Sequence, residues 1–155
     1  KGMRAKYALA IALSHDADLL IMDEPTSGLD PIVRREFMDI IRDFMKKDGK
    51  SVLFSTHIVS DLERVADMLL LIDKGNIVLQ EEKDILLDSH KLIKGKNAEL
   101  TAENRKLFLS LNETEYGFEG ITKSVEQIKR ACPSAIVERT TIEDIMFAYV
   151  GGKKE

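Results

Sequence analysis

Along residues 3–14 the apolar positions Ala5, Ala8, Leu9, Ala12 and Leu13 recur at helical spacing, which predicts a helix with one buried face, starting at Gly2. Leu19-Leu20-Ile21-Met22 is instead an unbroken apolar run that ends in Asp23-Glu24-Pro25. That texture predicts a strand buried on both faces, with acids at its carboxyl end. Pro25, Ser27 and Gly28 then make a turn, and Asp30-Pro31 reads as an N-cap followed by proline at the first helical position. Val33, Phe37, Ile40 or Ile41, and Phe44 give this second helix its buried stripe. Lys46 and Lys47 complement its C-terminal dipole, and Gly49 ends it.

Ser51 to Ser55 is again strand-like, with Thr56-His57 at its end. Ser60 and Glu63, spaced as a capping box, predict a helix after it. Met68 to Ile72 is a third apolar strand, and Lys74-Gly75-Asn76 turns it into Ile77 to Gln80 as a hairpin. Strand, helix, strand, helix, strand with apolar strands predicts an α/β fold built on a parallel sheet. After about Asp84 the texture changes. Residues 85–155 predict a small α+β appendage: strands at Lys106 to Leu111 and Ala135 to Glu138, helices at Ile121 to Arg130 and Thr141 to Val150. Gly117 to Gly120 and Cys132-Pro133-Ser134 are the expected breaks, and Thr140 with Glu143 the expected capping box of the last helix. Lys94-Gly95-Lys96 and Lys153-Lys154 are expected on solvated surface, and the six methionines in the core.

A chain of 155 residues holds one domain, or one domain with an appendage. Its 23 basic residues against 27 acidic ones leave no global positive field to hold nucleic acid or an anionic membrane. A single cysteine, Cys132, excludes an internal disulfide and a multi-cysteine metal site, and fits a reducing cytosol. The longest apolar runs are too short to cross a bilayer. The chain begins at Lys1-Gly2, directly ahead of a helical pattern, and is expected to be a piece of something longer.

The chemistry concentrates at the first strand's tip. Ligands of open α/β sheets bind just beyond the carboxyl ends of the strands, where Asp23 and Glu24 stand. Such a pair can divide labour: Asp23 holding Mg²⁺ directly or through water, Glu24 polarising the water that attacks a phosphoryl group. An isolated Asp-Glu-Pro more often simply opens a turn, and an isolated histidine after a strand more often satisfies a loop. Here the acids and His57 project to the same rim of one predicted sheet, where a ring N–H can donate to a phosphate oxygen.

Leu19-Leu-Ile-Met-Asp-Glu-Pro25, Thr26-Ser-Gly-Leu-Asp30 and Ser55-Thr-His57 closely resemble the Walker B motif, D-loop and H-loop of ABC-type ATPases. Lys1-Gly2-Met3-Arg4 resembles the tail of the ABC signature motif, with Lys1 and Met3 where the usual ending has Gly and Gln. The Lys-Gly-Met form is similar to that of bacterial multidrug, antibiotic or lantibiotic exporter ATPases. The resemblance implies the C-terminal half of a P-loop NTPase over residues 1–84, with 85–155 an accessory region like the variable one that many such ATPases carry. Carried over position by position, it makes Asp23 the Mg²⁺ carboxylate, Glu24 the catalytic base and His57 the γ-phosphate sensor. Asp30 becomes the acid that acts across a dimer interface, and Gly2 presents backbone N–H groups to ATP held by the opposite subunit. The implied partners are a second ATP-binding subunit, head to tail, and transmembrane permease subunits, with the protein peripheral on the inner membrane face and bound to no nucleic acid.

No Gly-x-x-x-x-Gly-Lys-[Ser/Thr] phosphate cradle occurs. The nearest stretch, Gly49-Lys50-Ser51, has Phe44 where the upstream glycine belongs and runs from a helix into a strand. The family's phosphate loop, adenine-stacking aromatic and Q-loop glutamine precede the signature motif, so this chain is expected to carry the hydrolytic half of the site and not to bind or hydrolyse ATP alone. Three other readings stay open: a DNA-repair or chromosome-maintenance ATPase, a translation-associated ABC protein, and a non-enzymatic scaffold. The loss of neighbouring strands is further expected to expose a sheet edge and an apolar face.

Overall fold

The computed structural model describes residues 2–151, so Lys1 and Lys153-Lys154 lie outside the described residues. Contacts divide the chain into two units, Lys1–Ala66 and Asp67–Glu155.

The first unit begins with helix α1 (Gly2–Ser14), followed by strand β1 (Leu19–Asp23), helix α2 (Pro31–Met45), strand β2 (Ser51–Ser55) and helix α3 (Val59–Val65). α2 forms where local signals agree. Asp30 sits in extended conformation and its carboxylate accepts from the backbone N–H of Ile32 and Val33 at 3.1 and 3.0 Å, with Pro31 supplying the fixed φ of the first turn. Gly49, at φ 74°, provides the left-handed turn beyond its end. Phe37, Met38, Ile41 and Phe44 are the buried stripe, and Ile40 points outward. They pack with Leu9 of α1, Leu20 of β1, Leu29 and Val65 into one core.

β1 and β2 pair in parallel, Leu19 with Ser51 through Asp23 with Ser55. Two sequence expectations need correction here. The strands are buried on one face only: Leu20, Met22, Val52 and Phe54 pack on the core, whereas Leu19, Ile21 and Leu53 are 51%, 72% and 62% exposed. Side chains alternate along a strand, so only one face of the pair reaches the helices described. The Ser60–Glu63 capping box also fails to form. The N-cap is Ile58, whose backbone N–H is taken by Thr56 Oγ1 at 3.0 Å, so Ser60 is already inside the helix.

In the second unit β3 (Met68–Asp73) forms the expected antiparallel hairpin with β4 (Asn76–Glu82). Lys74 and Gly75, at φ 49° and 80°, make the two-residue turn whose twist suits a hairpin. Next come α4 (Lys83–Ser89), β5 (Lys91–Gly95), α5 (Ala102–Arg105), β6 (Phe108–Thr114), β7 (Gly117–Thr122), α6 (Val125–Ala131), β8 (Ile136–Arg139) and α7 (Ile142–Gly151). The last four strands form an antiparallel sheet in the order β6-β7-β5-β8, and Ile93, Leu100, Phe118, Ile128 and Cys132 form its core.

Three readings of the sequence shift in this unit. Gly117 to Gly120 is strand, and Ile121 continues that strand, which ends at Thr122, instead of opening a helix. The glycines serve close packing: a Cβ on Gly117 would stand 2.4 Å from the Gly95 carbonyl oxygen, and one on Gly120 would stand 2.6 Å from that of Ser110. Lys94 and Gly95 belong to a central strand, with Lys94 paired to Glu138 at 2.7 Å. The final capping box is Thr141 with Asp144, one residue later than expected, because β8 runs to Arg139 and Thr140 is buried.

Candidate functional site

β1 and β2 end in register, which brings Asp23 beside Ser55 and puts Glu24 and His57 just past the strand tips. Ser55 Oγ donates to Asp23 Oδ1. The Glu24 backbone N–H is held by the Ser55 carbonyl oxygen at 3.0 Å and by its Oγ at 3.2 Å. Glu24 itself has φ 45°, a left-handed conformation that costs a non-glycine residue on the order of 1 kcal/mol and clusters at functional sites. This turn aims the carboxylate at the next loop: Glu24 Oε2 lies 2.8 Å from His57 Nδ1. The contact is an ion-pair distance without hydrogen-bond alignment, and Oε2 is buried with no donor of its own. His57 itself is largely exposed.

From Glu24 the chain folds through two consecutive turns, Ser27 N–H to Glu24 O and Leu29 N–H to Thr26 O, each at 3.1 Å. Gly28, at φ 71°, permits the second. Leu29 drops into the core and Asp30 caps α2. Gly2 meets the same first turn of α2 from the start of α1. A Cβ there would stand 3.2 Å from Val33 Cγ1, so tight packing is a reason for glycine beside close approach to phosphate. Thus Asp23, Glu24 and His57 converge, whereas the contacts of Gly2 and Asp30 are made with the first turn of α2.

Sequence reasoning passed over Thr26 and Asp61. Both are buried, and Thr26 Oγ1 donates to Asp61 Oδ2. The only trace in the sequence is an acid four residues beyond His57, in the first turn of α3.

Among the described residues no cluster of three or more His, Cys, Asp or Glu side chains is gathered as a metal cage. Asp23 stands at the rim with Oδ1 engaged by Ser55. One carboxylate fits Mg²⁺, which keeps several waters and commonly takes one or two protein carboxylates plus substrate phosphate oxygens. Among the described residues no helix is long and apolar enough to cross a membrane.

Known proteins are similar to parts of this chain. Residues 1–60 match the family described as "AAA domain, putative AbiEii toxin, Type IV TA system". The chain is 43% identical over 83 residues to the lantibiotic transport ATP-binding protein SrtF of Streptococcus pyogenes, covering 54% of this chain and 36% of that protein. It is 36% identical over 91 residues to the ABC transporter ATP-binding protein NatA of Bacillus subtilis, covering 59% and 37%. With the Nod factor export ATP-binding protein I of a Bradyrhizobium species it shares 39% over 89 residues, covering 57% and 29%. Its fold resembles a solved structure described as an inward-facing ABC transporter of metal-chelate type, at TM-score 0.51 and 23% identity, over 78% of this chain and 46% of that one. The chain spans about a third of the length of these curated relatives. Over the matched residues the chain is thus similar in sequence to ABC transporter ATP-binding proteins.

Proposed function

We propose that this sequence supplies the hydrolytic half of the ATP site of a bacterial ABC transporter, of the type that exports drugs, antibiotics or lantibiotics. The observation that carries the proposal is the placement of the Glu24 carboxylate, 2.8 Å from His57, at the ends of two parallel strands. A carboxylate directed from a strand tip in this way can orient, and take a proton from, the water attacking the γ-phosphorus. His57, with Nδ1 toward Glu24 and its ring largely exposed, steadies that carboxylate and meets a γ-phosphate oxygen. Asp23, fixed by Ser55, would hold Mg²⁺, which would supply neutralisation of the phosphate charge. Asp30 acts across a head-to-tail dimer in addition to capping α2. Gly2 offers the N-terminus of α1 to the nucleotide of the second subunit.

Residues 1–84 are on this reading the ATPase part and 85–155 an accessory region. The work of hydrolysis is coupled to separate permease subunits, with the protein held at the inner face of the membrane through them. ATP is gripped by residues outside these 155, since the sequence has no phosphate loop. Calorimetric titration with Mg-ATP tests this division. A complete subunit containing the sequence binds, and the 17.5 kDa chain alone gives no binding heat. Tight binding by the chain alone would contradict it.

A further inference from the structure

We infer that Asp61 is a positioning residue which, through Thr26, fixes the distance between the loop of Glu24 and the loop of His57; this rests on the roles proposed for those two side chains. Asp61 is 2% exposed and Thr26 is fully buried, and the hydroxyl of one donates to the carboxylate of the other. Burying a carboxylate is costly, and beyond the first turn of α3, which favours an acid, the hydrogen bond given for this one among the described residues is from a hydroxyl 35 residues away along the chain. An apolar pair would fill the space at lower cost, so the polar link calls for a reason beyond packing.

The wiring of the site supplies one. Glu24 and His57 lie on two loops that leave adjacent strands. On the strand side these loops are tied by the β1–β2 ladder and by Ser55, which bonds both Asp23 and the Glu24 N–H. On the far side they are tied by Thr26, two residues after Glu24, and Asp61, four residues after His57. Each reacting side chain therefore sits on a short span fixed at both ends. α3, which carries Asp61, is itself anchored to α2 by Arg64, whose Nη2 lies 2.7 Å from Asp39 Oδ1. Without the Thr26–Asp61 tie, Leu29 and α3 still hold each loop to the core, but the two loops are bonded to each other only on the strand side. The 2.8 Å approach of His57 Nδ1 to Glu24 Oε2 then widens. Displacement of this order at a reacting group costs about tenfold to a hundredfold in rate.

The test is steady-state ATP hydrolysis by a complete ATP-binding subunit carrying this sequence, with kcat and KM measured separately and melting followed in parallel. Thr26→Val lowers kcat about tenfold or more, while KM for ATP moves about threefold at most. Thr26→Ser, which keeps the hydroxyl, restores kcat. The decisive variant is Thr26→Val with Asp61→Leu: removing both polar groups relieves the unpaired carboxylate and returns the melting temperature toward wild type, yet kcat stays low. Recovery of kcat along with stability in that double variant would overturn the inference and leave the pair a packing feature. If the double variant does not fold, Asp61→Asn decides, because its amide oxygen still accepts from Thr26: kcat within about threefold of wild type supports the tie, and a tenfold loss overturns it. Glu24→Gln serves as control. If it leaves turnover intact, the hydrolytic reading has failed; if it abolishes turnover while Thr26→Val does not lower kcat, only the positioning role has failed.

Discussion

Replacing Asp30 with alanine separates two roles that one side chain holds. Its Oδ1 accepts from two backbone N–H groups at the N-terminus of α2, at 3.1 and 3.0 Å. The first backbone bond of the helix, from Arg34 N–H to the Asp30 carbonyl at 2.9 Å, survives the substitution. The site is exposed, so water replaces part of what is lost, and the expected cost is about 1 kcal/mol. Loss of negative charge at the positive end of the helix dipole adds a few tenths, about 0.3–1 kcal/mol at low salt. For a unit the size of Lys1–Ala66 the two together are a fall of about 5–16 °C in melting temperature. Urea unfolding followed by far-UV circular dichroism reads it as a lower midpoint at unchanged slope. Asp30→Ser keeps a capping oxygen and returns most of the stability. In a complete subunit, an acid required across the dimer is not replaced by serine, so Asp30→Ser stays slow in hydrolysis although stable. An unchanged midpoint in Asp30→Ala would refute the capping account, and full hydrolysis in Asp30→Ser would remove Asp30 from the site.

Other consequences concern the second unit. Gly117→Ala places a Cβ 2.4 Å from the Gly95 carbonyl at a backbone φ of 151°, and should destabilise the four-stranded sheet by more than about 1 kcal/mol in denaturant titration. Buried His90 accepts from the Tyr149 hydroxyl at Nε2, 3.2 Å away, while Nδ1–H donates to Leu86 O at 2.8 Å. Burial, assisted by Lys123 and Lys91, holds its pKa below the ordinary value against the opposing pulls of Leu86 O and Glu81. The unfolded chain therefore binds the proton more readily, and stability present above about pH 6.5 falls as pH drops below it, by at most about 1.4 kcal/mol per pH unit. His90→Gln should flatten that slope in melting curves taken across the range. Burial, with some help from Glu99, pushes the Cys132 thiol up, so a thiol-reactive dye should label it slowly in the folded chain and rapidly in urea.

What could be read from the sequence was what local chemistry decides. Asp30-Pro31, the Phe37 stripe and Gly49 each favour the same helix, and the hairpin at Lys74-Gly75 needs only those two residues. Asp23, Glu24 and His57 were readable because a strand tip and a loop following a strand place them by register alone. Where a local signal competed with a tertiary one, the tertiary one prevailed. Ser60 lost its cap because Thr56 turned the chain earlier, and Thr140 lost its own because the end of the sheet buries it. The glycines at 117 and 120 suggest a break, yet in this sheet they mark where backbones crowd. Thr26 and Asp61 left no usable signal, since their partnership exists only once β1, β2 and α3 have been assembled.

The central claim is that Glu24 is the base for ATP hydrolysis. Its most direct test is turnover by a complete ATP-binding subunit carrying this sequence, at saturating Mg-ATP, with and without Glu24→Gln. The account predicts that the variant still binds ATP, accumulates as an ATP-bound dimer and loses turnover by about a hundredfold or more, as general-base loss entails. Turnover within a few-fold of wild type in a variant that binds ATP normally would contradict it.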